Sequence, residues 1–197
     1  MARFLTMPER RRGTTTVADV MIMRERREQT ADFEHFYLEH VDMVRRVLAR
    51  LLGPRFDVQD ALQDVFMVAL TKRHEYSGHA LPSTWLHAIA QRIAMAMRRR
   101  ARIRAFLGLD QTCDLPGGAS PEQLFEDRQA SEQLYACLDK LSEKKRAVWI
   151  LYELEELSGE QIAEIVGCPV KTVWTRLFHA RRELSTLSRG LDERSKK

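Results

Sequence analysis

Ser158-Gly-Glu-Gln161-Ile-Ala-Glu-Ile-Val166-Gly167-Cys168-Pro169-Val170-Lys-Thr-Val-Trp174-Thr-Arg-Leu177 decides the fold of the C-terminal third of the chain. Ser158 with Gln161 three residues on is a capping-box start, and the two turns that follow place Ile162, Ala163 and Val166 inward. Gly167 supplies the left-handed residue that ends them, and Cys168-Pro169 begins the next helix at once. In that helix Val170, Val173, Trp174, Leu177, Ala180 and Leu184 share one stripe, which leaves Lys171, Thr172, Thr175, Arg176, His179 and Arg182 on the other side. The spacing predicts a tight helix-turn-helix. Its outward face is rich in donors and free of acids, which suits the acceptors on guanine and the phosphates flanking a major groove. An antiparallel helix pair with a solvated basic face shares this spacing, and the tight Gly-Cys-Pro turn favours the recognition helix.

Working toward the N-terminus, Ser142 caps a helix with Ala147, Val148, Leu151 and Tyr152 on one side, and Ser120-Pro121 with Gln123 starts another bearing Leu124, Leu134, Leu138 and Leu141. Residues 108–120 hold Gly108, Pro116, Gly117, Gly118 and Ser120, with Asp110 and Asp114 but no Lys or Arg. They have neither helical nor strand period and read as a flexible linker between domains. Before them, Pro82-Ser83 opens a helix with Trp85, Leu86, Ile89, Ile93 and Met97 inward, after a loop from Tyr76 to Leu81. Asp57 caps a helix whose Val58, Ala61, Leu62, Val65, Phe66 and Ala69 form its buried stripe. A first helix runs from Thr30 to Gly53-Pro54 with Phe33, Phe36, Tyr37, His40, Val44, Val47, Leu48 and Leu51 at helical spacing. Residues 1–29 carry seven Arg and four acids and read as a disordered basic arm, while 188–197 read as a tail. The expected fold is therefore all-α: a three-helix bundle and a helix-turn-helix unit joined by a linker.

Composition bounds the function. The 197 residues include 32 Lys plus Arg against 28 Asp plus Glu, a net charge of +4, and 30% are charged. No apolar run approaches the ~20 residues of a membrane span, and Met1 to Arg12 lacks a secretory core, so a cytoplasmic protein is expected. Cys113, Cys137 and Cys168 are odd in number and widely spaced, which fits reduced thiols better than a disulfide frame or a metal clip. A helical metal site needs ligands at i, i+3 or i+4 on facing helices. His35 and His40 are five apart, His74 and His79 flank a loop, and His87 has no matched partner, so neither a metal site nor a catalytic residue is expected.

Two further faces carry chemistry. On the second helix Gln59, Asp60, Gln63, Asp64 and Met67 lie opposite the core stripe, an acidic and amide surface with one exposed apolar residue, suited to docking on another protein. From Arg92 to Arg104 there are six Arg and no acid. Such a helix end binds phosphate by counterion release, and the same composition would serve an anionic lipid surface.

With these blocks in hand (Val58 to Phe66, Ser83 to Ala90, Leu138 to Leu141, and Thr172 to Arg182), the chain resembles a sigma factor of bacterial RNA polymerase, of the two-domain extracytoplasmic-function group. The resemblance spans about residues 30–187. It implies a region 2 domain over 30–107 that binds core polymerase and the -10 element, a linker over 108–120, and a region 4 domain over 121–187 that binds the -35 element. The larger factors' region 3 is missing. By the resemblance, Asp60, Gln63 and Asp64 occupy positions that grip the clamp helices of the polymerase's largest subunit. Tyr76 and His79 become candidate walls for a base flipped from the -10 element, an extrusion costing a few kcal/mol. Gln91, Arg92, Met95, Arg98 and Arg99 become -10 contacts. The acidic linker, with Asp110, Asp114, Glu122, Glu126 and Asp127, would thread a basic channel near the nascent RNA. Family members commonly read Ile-Ala-Arg-Asn and then an Asp, where this chain has Ile89-Ala90-Gln91-Arg92 and Ala96. Expected partners are core polymerase, promoter DNA and an anti-sigma protein, with no cofactor and no catalysis of its own. The rival is a free-standing helix-turn-helix regulator, which would need a dimerisation seam that the sequence does not show.

Overall fold

The structure is a computed structural model that describes the backbone of residues 17–76, 78, 80–109 and 125–195, and side chains within 32–188 apart from 125–130. All regular elements among the described residues are helical: α1 (Val17–Leu52), α2 (Val58–Lys72), a 3-10 turn (Arg73–Glu75), α3 (Pro82–Phe106), α4 (Phe125–Leu138), α5 (Glu143–Glu153), α6 (Gly159–Val166) and α7 (Val170–Ser195). The chain divides into two compact units, Met1–Glu39 and His40–Lys197. In the first, the described side chains include Phe33 and Phe36, their rings 6.0 Å apart.

α1 begins at Val17, inside the stretch read as a disordered arm. Met, Arg and Glu between residues 21 and 28 are strong helix formers, so propensity carries the helix where apolar periodicity is absent. By the same means α7 runs on to Ser195, through most of the stretch read as a tail. α4 takes in Glu126 and Asp127, two of the acids expected in the linker. The rest of that linker, from Asp110 through Asp114 to Glu122, lies outside the described residues, as do the helix-start signal at Ser120-Pro121 and Leu124.

Local signals account for most helix ends. Asp57 accepts a hydrogen bond from the Gln59 N–H at 2.7 Å and caps α2. Ser158 and Gln161 form the reciprocal capping box of α6, at 3.2 and 2.9 Å. Gly167, at φ 64° and ψ 48°, ends α6 in the left-handed region, where a side chain would be strained. Ser142 stands at the N-cap of α5 but contributes its carbonyl rather than its hydroxyl, accepting from Lys145 and Arg146.

The buried side chains mostly follow the expected stripes. Val44, Val47, Leu48 and Leu51 of α1 and Ala61, Leu62, Val65, Phe66 and Ala69 of α2 are in the core. On α3 the buried line is rotated from the expected one. Leu86 and Ile89 are buried, but Trp85, Ile93 and Met97 are only half-buried, and Ala90, Gln91, Ala94 and Arg98 take the inner positions. In α6 Ile165 joins Ile162 inside while Val166 and Ala163 sit at the margin. Val148, Leu151, Ile162, Ile165, Val173 and Leu177 make the core of the C-terminal helices, and Ala88 of α3 packs against it. Thus α3 lies on α6 as well as on α2.

Trp174, expected inside, is 42% exposed. Its indole lies over Gly159, where a Cβ would stand 2.5 Å from Cζ2, and meets the Tyr152 ring edge-on at 5.6 Å. Gly159→Ala is expected to destabilise the C-terminal helices by about 1–3 kcal/mol, the usual range for overpacking. Thermal unfolding checks this; an unchanged or raised midpoint would show that the indole moves aside at no cost.

Candidate nucleic-acid and polymerase interfaces

The helix-turn-helix is built by α6 and α7. Cys168 N–H donates to Ala163 C=O at 3.1 Å, and Pro169 C=O accepts from Thr172 and Val173, so the connection holds α7 at a fixed angle with little freedom. Lys171, Thr175, His179 and Arg182 are exposed on α7, while Thr172 and Arg176 are half-covered. Arg176 Nη1 approaches Cys168 Sγ at 3.4 Å, and the Thr175 hydroxyl donates to Lys171 C=O at 2.9 Å. The neighbouring Arg181 is pinned away from this face by Glu153 at 2.6 Å, a bond that also holds its guanidinium above the usual range. The result is an acid-free face on a helix held at its N-terminal end.

On α2 the expected docking face is complete. Gln59, Asp60, Gln63, Asp64 and Met67 are all exposed, Met67 at 55%, and none of their side chains is engaged by another described residue. The helix buries its other side through Ala61, Leu62, Val65, Phe66 and Ala69, so the orientation of the acidic face is fixed by core packing.

The basic end of α3 divides in two. Arg92, Arg99, Arg100 and Arg104 are exposed and have no carboxylate partner among the described residues. Arg98, placed with the DNA contacts by the resemblance, is 8% exposed. Its Nη1 donates to Leu52 C=O at 2.9 Å, its Nε to Glu143 at 3.0 Å and its Nη2 to Asp139 at 2.8 Å. Gln91 is also buried, with Nε2 2.6 Å from Sδ of the half-buried Met95. Arg98 and Gln91 therefore stand apart from the exposed face in this arrangement. Position 98 continues the inner line Leu86, Ala90, Ala94 in steps of four, a signal that an arginine there is buried. Tyr76 is half-buried, its ring 5.2 Å from that of Trp85 and its hydroxyl donating to Ala80 C=O. His79 lies outside the described residues. At the end of α3, Ile103, Phe106 and Leu107 are exposed, Phe106 at 89%.

Sequence reasoning missed Arg146. It is 1% exposed in α5, donates from Nη1 to Leu51 C=O and pairs through Nε with Asp139 Oδ1 at 3.7 Å, while Nε and Nη2 make no hydrogen bond. Burial pushes its guanidinium down to about 10, so it stays charged at neutral pH. It stands four residues before Ile150 on the inner face, so its burial could have been read from the period.

Comparison with known proteins agrees with this geometry. Two family models match, sigma-70 region 2 over residues 36–103 and sigma-70 region 4 over residues 131–184. RNA polymerase sigma factor YlaC of Bacillus subtilis is 34% identical over 157 residues, covering 77% of this chain and 88% of the relative. ECF RNA polymerase sigma factor SigE of Mycolicibacterium smegmatis is 32% identical over 74% of this chain, a match spanning 57% of that relative's length. The Escherichia coli ECF sigma-E factor is 28% identical, over 84% of this chain and 91% of its own. Among solved structures, the sigma factor RpoE in complex with the anti-sigma factor NepR from Bartonella quintana has the same fold. Its TM-score is 0.62 at 24% identity, covering 80% of this chain and 97% of that one. The chain belongs to the sigma-70 family of RNA polymerase sigma factors, in its extracytoplasmic-function group. The function of that family is promoter-directed initiation of transcription with RNA polymerase. Among the described residues no helix is long and apolar enough to cross a membrane.

Proposed function

We propose that three surfaces divide the work of initiation on this chain. Gln59, Asp60, Gln63, Asp64 and Met67 dock α2 on the clamp helices of the polymerase's largest subunit. Arg92 and Arg99, with Tyr76 and His79 ahead of them, hold the -10 element and aid its melting. Lys171, Thr172, Thr175, Arg176, His179 and Arg182 read the -35 element. The domains responsible are residues 30–107 and 121–187, joined by the linker over 108–120. The chain acts in the cytoplasm by positioning, with no catalysis of its own. An anti-sigma protein is the proposed regulator, since RpoE of Bartonella quintana and CnrH, which have its fold, are solved with one and with the cytosolic domain of CnrY respectively.

The observation that carries this reading is the pairing, on one chain, of an exposed acidic helix face without internal partners and an exposed acid-free recognition helix. A phosphate-binding helix needs the second alone; a polymerase subunit needs both. Transcription in vitro with purified core polymerase on genomic fragments tests it. New start sites sharing an upstream element are expected only when the chain is added. An unchanged start-site map, together with tight duplex binding by the chain alone, would favour the free-standing regulator.

A further inference from the structure

The outward stripe of α3 changes character along its length. Arg92, Met95, Ala96, Arg99, Ile103, Phe106 and Leu107 follow one another at helical spacing, on the side away from the buried line of Leu86, Ala90, Ala94 and Arg98. The last two turns of this stripe form an apolar ridge, in which Ile103, Phe106 and Leu107 are exposed. Arg99, Arg100 and Arg104 surround the ridge, exposed and without a carboxylate partner among the described residues. Glu143 of α5, the acid that reaches this surface, is bonded to Arg98 and Arg102 at 3.0 and 2.8 Å, so the surroundings of the ridge stay positive. The ridge is also a built end of the helix. Gly108, at φ 67°, closes α3 in the left-handed region, with its N–H on Ala105 C=O at 3.1 Å and that of Leu109 on Arg104 C=O at 3.0 Å. This fixes the backbone of Leu109, whose side chain is 64% exposed, at the end of the ridge.

Contact with nucleic-acid phosphate uses the arginines and gives no role to four large apolar side chains among them. A surface of anionic head groups over hydrocarbon uses both. The apolar side chains enter the boundary region while the guanidiniums stay with the phosphates. We propose that the end of α3 docks the chain reversibly on an anionic phospholipid bilayer, with Ile103, Phe106, Leu107 and Leu109 as the inserted ridge and Arg99, Arg100 and Arg104 on the head groups. The helix lies on the surface and does not cross it. So short a ridge is a weak anchor by itself, and the charge and the apolar side chains are needed together. Arg99 also belongs to the proposed -10 face, so a lipid-bound chain cannot hold that element with this helix. That consequence, and it alone, rests on the reading of α3 as a DNA-binding helix.

The test uses the full chain without polymerase, sedimented with vesicles of phosphatidylglycerol and phosphatidylcholine in equal parts or of phosphatidylcholine alone. The parent should bind the mixed vesicles and not the zwitterionic ones, and should bind less as salt is raised. Ile103→Gln with Phe106→Gln keeps every arginine. It should lose roughly tenfold or more in vesicle affinity, as two apolar side chains stay in water, with circular dichroism and affinity for a duplex oligonucleotide unchanged. Arg100→Gln with Arg104→Gln keeps the ridge and should lose a similar factor on the mixed vesicles. Equal binding to both kinds of vesicle, or binding to neither, would overturn the proposal. So would undiminished vesicle binding by the Ile103→Gln, Phe106→Gln variant, which would make α3 a binder of any polyanion. If that variant instead lost transcription with core polymerase while holding vesicles as the parent does, the ridge would belong to the polymerase and the lipid assignment would fall. A single-stranded oligonucleotide should displace the parent from the mixed vesicles. If both variants lose vesicle binding as expected and the oligonucleotide displaces nothing, the lipid surface stands and the reading of α3 as the -10 helix fails.

Discussion

Replacing Asp60 and Asp64 together by lysine is expected to abolish co-purification of the chain with core polymerase and, with it, all promoter-specific transcription. Both carboxylates are exposed, on the side of α2 opposite Ala61, Leu62, Val65, Phe66 and Ala69, so the exchange leaves the core untouched. Lysine is also a good helix former, and far-ultraviolet circular dichroism should not change. The size of the effect follows from reversing two charges at a complementary surface, where like charges brought together cost several kcal/mol. About 4 kcal/mol corresponds to roughly a thousandfold in affinity. Asp60→Asn and Asp64→Asn remove charge without reversing it and should each show a smaller loss that narrows as salt is raised. Full retention of binding by the lysine variant, with helicity intact, would remove α2 as the docking element.

Where the sequence was legible, the signal was local. Ser158 and Gln161, Gly167 and Pro169 are within reach of one another along the chain, and each has one main structural use, so the helix-turn-helix could be read residue by residue. The stripe of α2 was equally plain, because every fourth or third residue is apolar and the other face is charged. The failures are charged residues on inner faces. Arg98 bonds to groups 41 to 46 residues away, and Arg146 to Leu51, 95 residues away. Periodicity can mark such positions as buried, but only the tertiary fold supplies the carbonyls and carboxylates that make burial tolerable. Trp174 failed for the opposite reason: Val173, Leu177 and Ala180 already fill the space under α7, and the indole is left at the rim over Gly159. The start of α1 at Val17 depended on helix propensity without an apolar face, which composition alone had read as an arm.

Arg176→Ala and Lys171→Ala should each weaken holoenzyme binding at a cognate promoter, and selectively so. Both lie in the first two turns of α7, the part of a recognition helix that approaches base edges, and both project from the acid-free side. A bidentate arginine on guanine gives about 1–3 kcal/mol of discrimination, so Arg176→Ala should reduce affinity by roughly 5- to 150-fold for the preferred -35 sequence and by much less for one mutated at the contacted base pair. Arg176 starts with Nη1 near Cys168 Sγ, a weak acceptor that a guanine or phosphate oxygen readily replaces. Arg182 lies nearly two turns further along, where the groove wall is backbone. Arg182→Ala should therefore weaken all promoters alike and lower the salt dependence by about one counterion. Binding measured across a set of -35 variants at several salt concentrations separates these outcomes. Losses that are uniform across sequences for Arg176→Ala and Lys171→Ala as well would mean that α7 holds the duplex without reading it, and that promoter choice resides with α3.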